Sequence, residues 1–566
     1  MNGTFAVSSS GRAPVIGRGP SPSAVPDSIT VQDASESPAP NLADRVRRAA
    51  LDRAGRPALH WREHTVSWSE LDAAVDAAAR GLSAAAPPTD PGGTPPRVAI
   101  ALPNTPDFVI AWLGALRAGL VTVPVNPDLT APELRHVLAD SGASVLIATD
   151  HVRGLVADVA AELPALASVH GTPPTAEAPG AAPRPRRGGA DLAVLLYTSG
   201  TEGRPKGAML SHQALLANHE QVAEIEPPVV GPTDTVLLAL PLFHAYGLNS
   251  GLGAVVHHGA TGVLLDEPGP TAGLDEIARH RVSVLVGVPS MFLTWAGAAT
   301  ARAATASVRV AVCGAAPLEP AVAARFTEVT GHQVHIGYGL TETAPVLTST
   351  LVGGVAKPGS IGRPLPGVRL RLVGADGTDL WRDGLAVPAD DDPDELDISD
   401  VAPGTDPGQI VVSGPNLFTG YWPDGRGGPD TEGWWGTGDI AYADEDGDLF
   451  LVDRLGELIL VNGFNVYPHE VELVLAGHPG VIESAVLGVP HPRTGETVRA
   501  YVVPVQGRPV TSEELLAHCA RNLARFKCPT AVEFVDALPH SAIGKVRKTQ
   551  LRSATPTDRT EVTDGQ

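Results

Sequence analysis

The chain has 566 residues, of which 43% are hydrophobic, and a formal net charge of −22, enough for a large N-terminal body and a smaller C-terminal domain with a sizeable core. That acidity excludes a nucleic-acid partner held through phosphates, and it excludes attachment to an anionic membrane by charge alone, though not a weak peripheral membrane contact. Cys313, Cys519 and Cys528 are odd in number and form no CxxC pair, so neither a disulfide framework nor a zinc site is expected and a cytoplasmic location fits.

In chain order, residues 1–43 are rich in Ser, Pro, Gly and Ala. They lack a continuous apolar run and read as a disordered tail, not a secretory signal. From Val98 to Thr149 the segments VAIAL, PDFVIAWLGALRAG, VTVPV, APELRHVLADSG and SVLIAT alternate strand with amphipathic helix. Thr105 with Pro106 opens the first helix, Gly119 ends it, and Thr130 with Glu133 forms a capping box for the second. This alternation predicts a parallel sheet covered on both sides. The tail-like composition returns at Gly171–Gly189, and Ala193–Leu196 then read as a strand buried on both faces.

The loop YTSGTEGRPKG, Tyr197 to Gly207, follows that strand, and Ser211 is a good N-cap for a helix over His212–Ile225. Loop amides could surround phosphate oxygens between strand and helix, with hydroxyls from Thr198, Ser199 and Thr201 and a compact charge from Lys206. It is not the common P-loop, because Lys206 lies between Pro205 and Gly207. Taken alone, an ordinary surface turn is the alternative.

Farther on, Thr235–Leu265 contains no Asp, Glu, Lys or Arg and is long enough to raise the question of a membrane span. Pro241, Asn249, five glycines and three histidines within it argue for buried strand and helix pieces instead. Strands are expected at VSVLVGV from Val282 and VRVAVCG from Val308, with a helix over Leu318–Thr330. Gly374–Pro407 is Pro- and Asp-rich and reads as an acidic surface insertion, 374–407. From Asp453 to Arg552 helical and strand-like segments form a small α/β domain, followed by a tail over 553–566. The predicted class is α/β: a multi-subdomain body over 44–452 with helix-covered parallel sheets, and a mobile C-terminal lid over 453–552.

Further segments recur in a fixed order: PLFHAYG from Pro241, GYGLTET from Gly337, WWGTGD from Trp434, DRLGELILVNGFNVYPHEVE from Asp453, and PHSAIGKVRK with Lys545. Together with the Tyr197–Gly207 loop they resemble the adenylate-forming superfamily of acyl-CoA synthetases, nonribosomal peptide adenylation domains and beetle luciferases, from about Asp44 to Arg552. The resemblance implies an ATP- and magnesium-dependent enzyme that adenylates a carboxylic acid and passes the acyl group to CoA, or to an acyl or peptidyl carrier protein. Thr198, Ser199, Gly200, Thr201, Gly203 and Lys206 match the phosphate loop, Glu342 the magnesium ligand, and Thr341 the α-phosphate contact. Asp439 matches the ribose acceptor, and Tyr338, Gly339, Gly314, Ala315 and Ala316 the adenine frame. Asp453 matches the hinge, Arg454 a ribose contact, Gly463 the pantetheine tunnel, and Lys545 the lysine that bridges carboxylate and α-phosphate.

Singly, Glu342 reads equally as an exposed helix cap, Asp439 as a turn residue, and Lys545, Arg547 and Lys548 as a solvated basic tail. His244 stands where amino-acid-activating relatives carry an aspartate, which argues against an α-amino acid; a gate over the acyl tunnel or a core histidine are its two readings. ILVNGFNVYPHEVE is most like medium- and long-chain fatty acyl-CoA ligases, so a fatty acid leads, and Gly247, Gly251, Gly253 and Gly287 leave room for a chain. Aryl acids, a fatty acyl-adenylate ligase serving a carrier protein and a catalytically weak acyl or nucleotide binder are the alternatives. Glu202 and Gly456 depart from the family pattern, in which threonine and lysine are frequent.

Overall fold

A computed structural model describes residues 39–89, 93–176, 186–198, 205–266, 272–353, 356–386, 404–454, 457–461, 464–491, 494–541, 545–548 and 550–551. The first sheet runs Ser168–His170, Val145–Ala148, Arg97–Ala101, Val121–Pro124, Leu192–Thr198, Lys206–Ser211 in spatial order. Its first five strands are parallel and the last is antiparallel to its neighbour. Successive residues of Arg97–Ala101 serve opposite cores: Val98 and Ile100 join Phe108 and Trp112, while Ala99 and Ala101 join Leu134, Val137 and Val152. That two-residue alternation is why the strand is apolar throughout. The capping box forms as expected, with the Thr130 N–H donating to Glu133 Oε2 at 2.9 Å.

One expectation about this sheet is corrected. The phosphate-loop segment does not pass from strand to helix; it returns as the strand Lys206–Ser211, paired Thr198 to Lys206, and the helix His212–Ala223 starts afterwards. The alternation of KGAMLS explains it, since Ala208 and Leu210 are fully buried while Lys206 and Met209 are not. The loop is therefore a hairpin loop, and the macrodipole of that helix does not act on it.

The second sheet has nine strands among the described residues and spans Arg363–Pro364, Val346–Ser349, Val334–Gly339, Val310–Cys313, Val284–Gly287, Thr235–Leu238, Thr261–Leu264, Pro57–Trp61 and His64–Ser67 in spatial order. The charge-free run divides into the strand Thr235–Leu238, a π-helical segment Tyr246–Gly253, the helix Ala254–His258 and the strand Thr261–Leu264. Among the described residues no helix is long and apolar enough to cross a membrane.

A mostly antiparallel sheet follows, ordered Leu385–Ala386, Asp379–Arg382, Arg369–Val373, Gly408–Ser413, Trp435–Ala443, Leu449–Arg454. Part of the expected acidic insertion thus belongs to the sheet: Trp381 is 2% exposed and packs in its core. A single buried Trp among acidic residues carries too little periodicity to be read as a strand. Residues 387–403 lie outside the described residues.

The expected tail over 1–43 needs a similar correction at its end. Asn41, Leu42 and Ala43 are buried, and the Asn41 side chain donates to the carbonyls of Leu116 and Arg187, each at 2.9 Å. In the C-terminal part, Phe464–Val466, Ile459–Val461, Gly495–Pro504 and Val481–His491 form a sheet joined by Ala531–Phe534, and the helices Pro468–Ala476 and Ser512–Asn522 pack their Val471, Leu475, Leu515 and Cys519 into its core.

Candidate active site

Among the described residues, Thr198 ends the strand Leu192–Thr198, Gly314 directly follows Val310–Cys313, and Tyr338 and Gly339 end Val334–Gly339 just before the turn that carries Thr341 and Glu342. Ser199, Gly200, Thr201, Gly203, Glu202, Gly456 and Gly463 lie outside the described residues. Thr198 and Lys206 close the base of the phosphate-loop hairpin as a cross-strand pair. The Lys206 ammonium stands 5.9 Å from the centre of the Tyr421 ring, whose hydroxyl donates to Glu342 Oε1 at 2.7 Å. Lys206 and Glu342 are thus linked through one aromatic side chain. Glu342 is not an exposed cap: it sits 6% exposed on a single 3₁₀ turn, Thr341–Thr343.

On the other side of that turn the Tyr338 hydroxyl donates to Asp439 at 2.6 Å, and Asp439 is itself 4% exposed. The strand carrying it pairs with Leu449–Arg454, where the Arg454 backbone lies opposite Asp439 and Asp453 opposite Ile440. Gly314 lies where an added Cβ would stand 3.0 Å from both the Gly337 carbonyl and the Tyr246 ring, and Ala315 takes a left-handed backbone with φ of +68°. Gly339 has a packing reason independent of any ligand, because a Cβ there would meet the Pro345 carbonyl at 1.7 Å.

His244 uses Nδ1 to accept the Tyr246 N–H at 3.3 Å, so the neutral ring carries its hydrogen on Nε2. Burial, with a smaller contribution from the Lys545 charge, pushes its pKa down to about 4. Lys545, from the C-terminal domain, therefore shares an electrostatic environment with His244, from the body. Two residues on, Arg547 makes a smaller contribution at Glu133, whose carboxyl is held below its ordinary range first by the Thr130 hydroxyl.

Three of the four glycines expected to leave room for an acyl chain also serve close packing. A Cβ on Gly247 would lie 2.3 Å from the Pro241 carbonyl, on Gly253 2.6 Å from Asn249 Oδ1, and on Gly287 3.0 Å from the Phe292 ring. They permit close approach of the π-helical segment to its neighbours. Beside them is a narrow apolar recess, lined by Leu237, Leu238, Leu240, Gly247, Gly251 and Val286, that is too tight to admit a water molecule.

Sequence reading missed Tyr421 and the buried amides that hold the Glu342 turn. Asn416 donates to the Thr343 carbonyl at 2.8 Å, Asn249 to that of Ala344 at 2.7 Å and Asn218 to that of Val346 at 2.8 Å. Gln221 and His219 steady these amides in turn. Ala344, with φ of +62°, sits in a conformation costly for a residue with a Cβ, and these bonds hold it there. Asn218 and Gln221, on one face of the helix His212–Ala223, were the available signal, because buried amides need partners.

Several histidines here are neutral for the same reason. Burial lowers His212 to about 4 and His257 to about 3, and holds the fully enclosed His219 well below its ordinary value. Each stays uncharged in the fold, while the unfolded chain takes a proton near pH 6.5. The stability they preserve is complete above that pH and is lost as pH falls toward their folded values, by about 1.4 kcal/mol per pH unit for each fully buried ring. The midpoint of thermal unfolding should therefore fall steeply between pH 6.5 and 4.5, and less steeply in a His257→Gln variant.

The family model described as AMP-binding enzyme matches residues 46–422, and the AMP-binding enzyme C-terminal domain matches 470–545. The chain belongs to the AMP-binding enzyme family. Relatives of this AMP-binding enzyme include a feruloyl-CoA synthase of Amycolatopsis sp, 38% identical over 90% of this chain and 97% of that protein. A long-chain-fatty-acid–CoA ligase of Yersinia pestis is 34% identical over 81% of this chain and 84% of its own. The crystal structure of ATP-bound MatB from Rhodopseudomonas palustris matches with a TM-score of 0.78 at 31% identity, covering 91% of this chain and 99% of that one. The α/β body with its small C-terminal domain is the fold of adenylate-forming enzymes.

Proposed function

We propose that this AMP-binding enzyme is an acid–CoA ligase. A carboxylate oxygen of the acid attacks the α-phosphorus of ATP, the bond from that phosphorus to the α,β-bridging oxygen breaks and pyrophosphate leaves. The thiol of CoA then attacks the acyl carbon of the acyl-adenylate, AMP departs, and the thiol proton passes to solvent. The observation that carries this reading is the link from Lys206 through Tyr421 to the buried Glu342, beside the Tyr338–Asp439 pair.

In this reading Lys206 and the loop closed by Thr198 hold the β- and γ-phosphates, Asp439 and Arg454 hold the ribose, and Tyr338 with Gly314, Ala315 and Ala316 frames the adenine. Gly463 lines the path of the CoA arm. Among the described residues no group of three or more His, Cys, Asp or Glu could hold a metal, but a magnesium ion needs only one or two carboxylates when phosphates and water complete its shell. Glu342 fits that role, with Oε1 fixed by Tyr421. When bound, the ion would neutralise charge on the phosphates.

For the acid, the packing around Tyr246 supports a compact substrate. Its hydroxyl is 3.5 Å from the Val312 carbonyl and its ring lies against Gly314, and the recess near Gly247 is narrow. An aryl or short-chain acid suits that space, and the likeness to a feruloyl-CoA synthase agrees. A long-chain fatty acid is the second reading, favoured by the long-chain-fatty-acid–CoA ligases among the relatives. The test is pyrophosphate release with ferulic, benzoic, octanoic and hexadecanoic acids, with and without CoA. Release with aryl or short acids that CoA stimulates is expected. Release with hexadecanoic acid alone would overturn the compact-acid reading, and release with none of them would remove the ligase reading.

A further inference from the structure

The basic run Lys545, Arg547, Lys548 does not behave as a tail. Lys548 lies largely shielded between two carboxylates, its side chain 17% exposed, 2.8 Å from Glu457 Oε2 and 2.8 Å from Glu472 Oε1. Burial alone would lower its pKa, yet the two carboxylates outweigh that and raise it, so the ammonium stays charged. Glu472 lies on the helix Pro468–Ala476 and also accepts the Val486 N–H at 2.8 Å. Glu457 lies four residues beyond Asp453, at the exit from the strand that leaves the body.

Upstream of Lys548 the chain forms a hairpin whose two sides are bonded along their length. Arg547 N–H donates to the Pro539 carbonyl at 2.7 Å, Ser541 N–H to the Lys545 carbonyl at 2.8 Å, and Lys545 N–H to Ser541 Oγ at 3.1 Å. His540 and Val546 add a bridge. One side is anchored to the sheet through His540 and Glu483 at 2.7 Å, and the other ends directly at Lys548. The position of Lys545 is therefore tied to the sheet through His540 and, through the Lys548 anchor, to the segment that follows the candidate hinge.

We propose that Lys548 is a positioning residue: its paired contacts to Glu457 and Glu472 make the Lys545 hairpin and the hinge exit one rigid piece, so that rotation of the small domain delivers Lys545 to a defined place. This rests on the reading of Lys545 as the lysine of the adenylation step. A largely shielded ammonium between two carboxylates suits such a joint, because loss of either contact leaves a charge without its partner, which penalises intermediate geometries.

The test uses the full-length protein with Lys548→Met, Lys548→Arg and Glu457→Gln. Hydrogen exchange of the Ser541, Lys545 and Arg547 amides is measured beside acyl-adenylate formation and thioester formation from preformed acyl-adenylate, with ferulic and octanoic acids as probes. In Lys548→Met and Glu457→Gln those amides should exchange about tenfold faster or more, and adenylation should slow by about ten- to 10²-fold, the range expected of a small misplacement. Thioester formation should change much less, and Lys548→Arg should restore both readouts. Unchanged exchange, or an equal fall in both half-reactions, would overturn the proposal. If Lys545→Ala kept full adenylation, the reading of Lys545 would fail, while the exchange data would still decide whether Lys548 holds the hairpin.

Discussion

Replacing Lys545 by alanine is expected to slow acyl-adenylate formation by about 10²-fold or more while leaving thioester formation from preformed acyl-adenylate nearly intact. The magnitude is that of losing one charge aimed at a developing negative centre in a water-poor site. Adenylation builds charge on the α-phosphoryl oxygens, whereas thiol attack on the acyl carbon does not need a cation at that place. The charge of Lys545 contributes to the lowered pKa of His244, so the two side chains share an electrostatic environment. Single-turnover measurement of the two half-reactions separates these effects. Equal losses in both, with the fold intact by circular dichroism, would show that Lys545 acts on the fold or on a shared step.

Glu342→Gln is expected to lower adenylation by about 10²-fold or more and to raise the magnesium concentration needed for half-maximal rate. The substitution keeps the shape and the oxygen that accepts from Tyr421, so packing of the 3₁₀ turn should survive. What it removes is the formal negative charge, which a hard cation requires more than an amide can supply. Titration of the rate with magnesium at saturating ATP, together with the unfolding midpoint, provides the check. An unchanged magnesium requirement would assign Glu342 to holding the turn, alongside Asn249 and Asn416.

Much of the fold was legible because local chemistry and burial agree. Thr130 with Glu133 and Ser211 before His212 are caps in the structure as in the sequence. The strands at Val98, Val121, Val145 and Leu192 are apolar on both faces because helices cover both faces. The misreadings have physical causes too. At Lys206–Ser211 a glycine-rich loop followed by a good cap looks like strand to helix, but six residues suffice to reverse direction and pair antiparallel. At Gly374–Ala386 the acidic composition hid a short strand whose buried residue, Trp381, fixes it to the core. Glycines 247, 253 and 287 suggested space, but a missing side chain is equally what two close backbones need.

By itself the sequence determined the family, because its separate motifs stand in a fixed order along the chain and that order is itself a signature. Only the tertiary structure decided how they act on one another. The Tyr421 bridge between Lys206 and Glu342 joins residues 136 positions apart, and the shielding of Lys548 between Glu457 and Glu472 turns a basic run into a joint. Such contacts arise from the packing of distant elements, where a charge or hydroxyl taken from water must find its partner across space, and no local pattern of residues encodes which partner that will be.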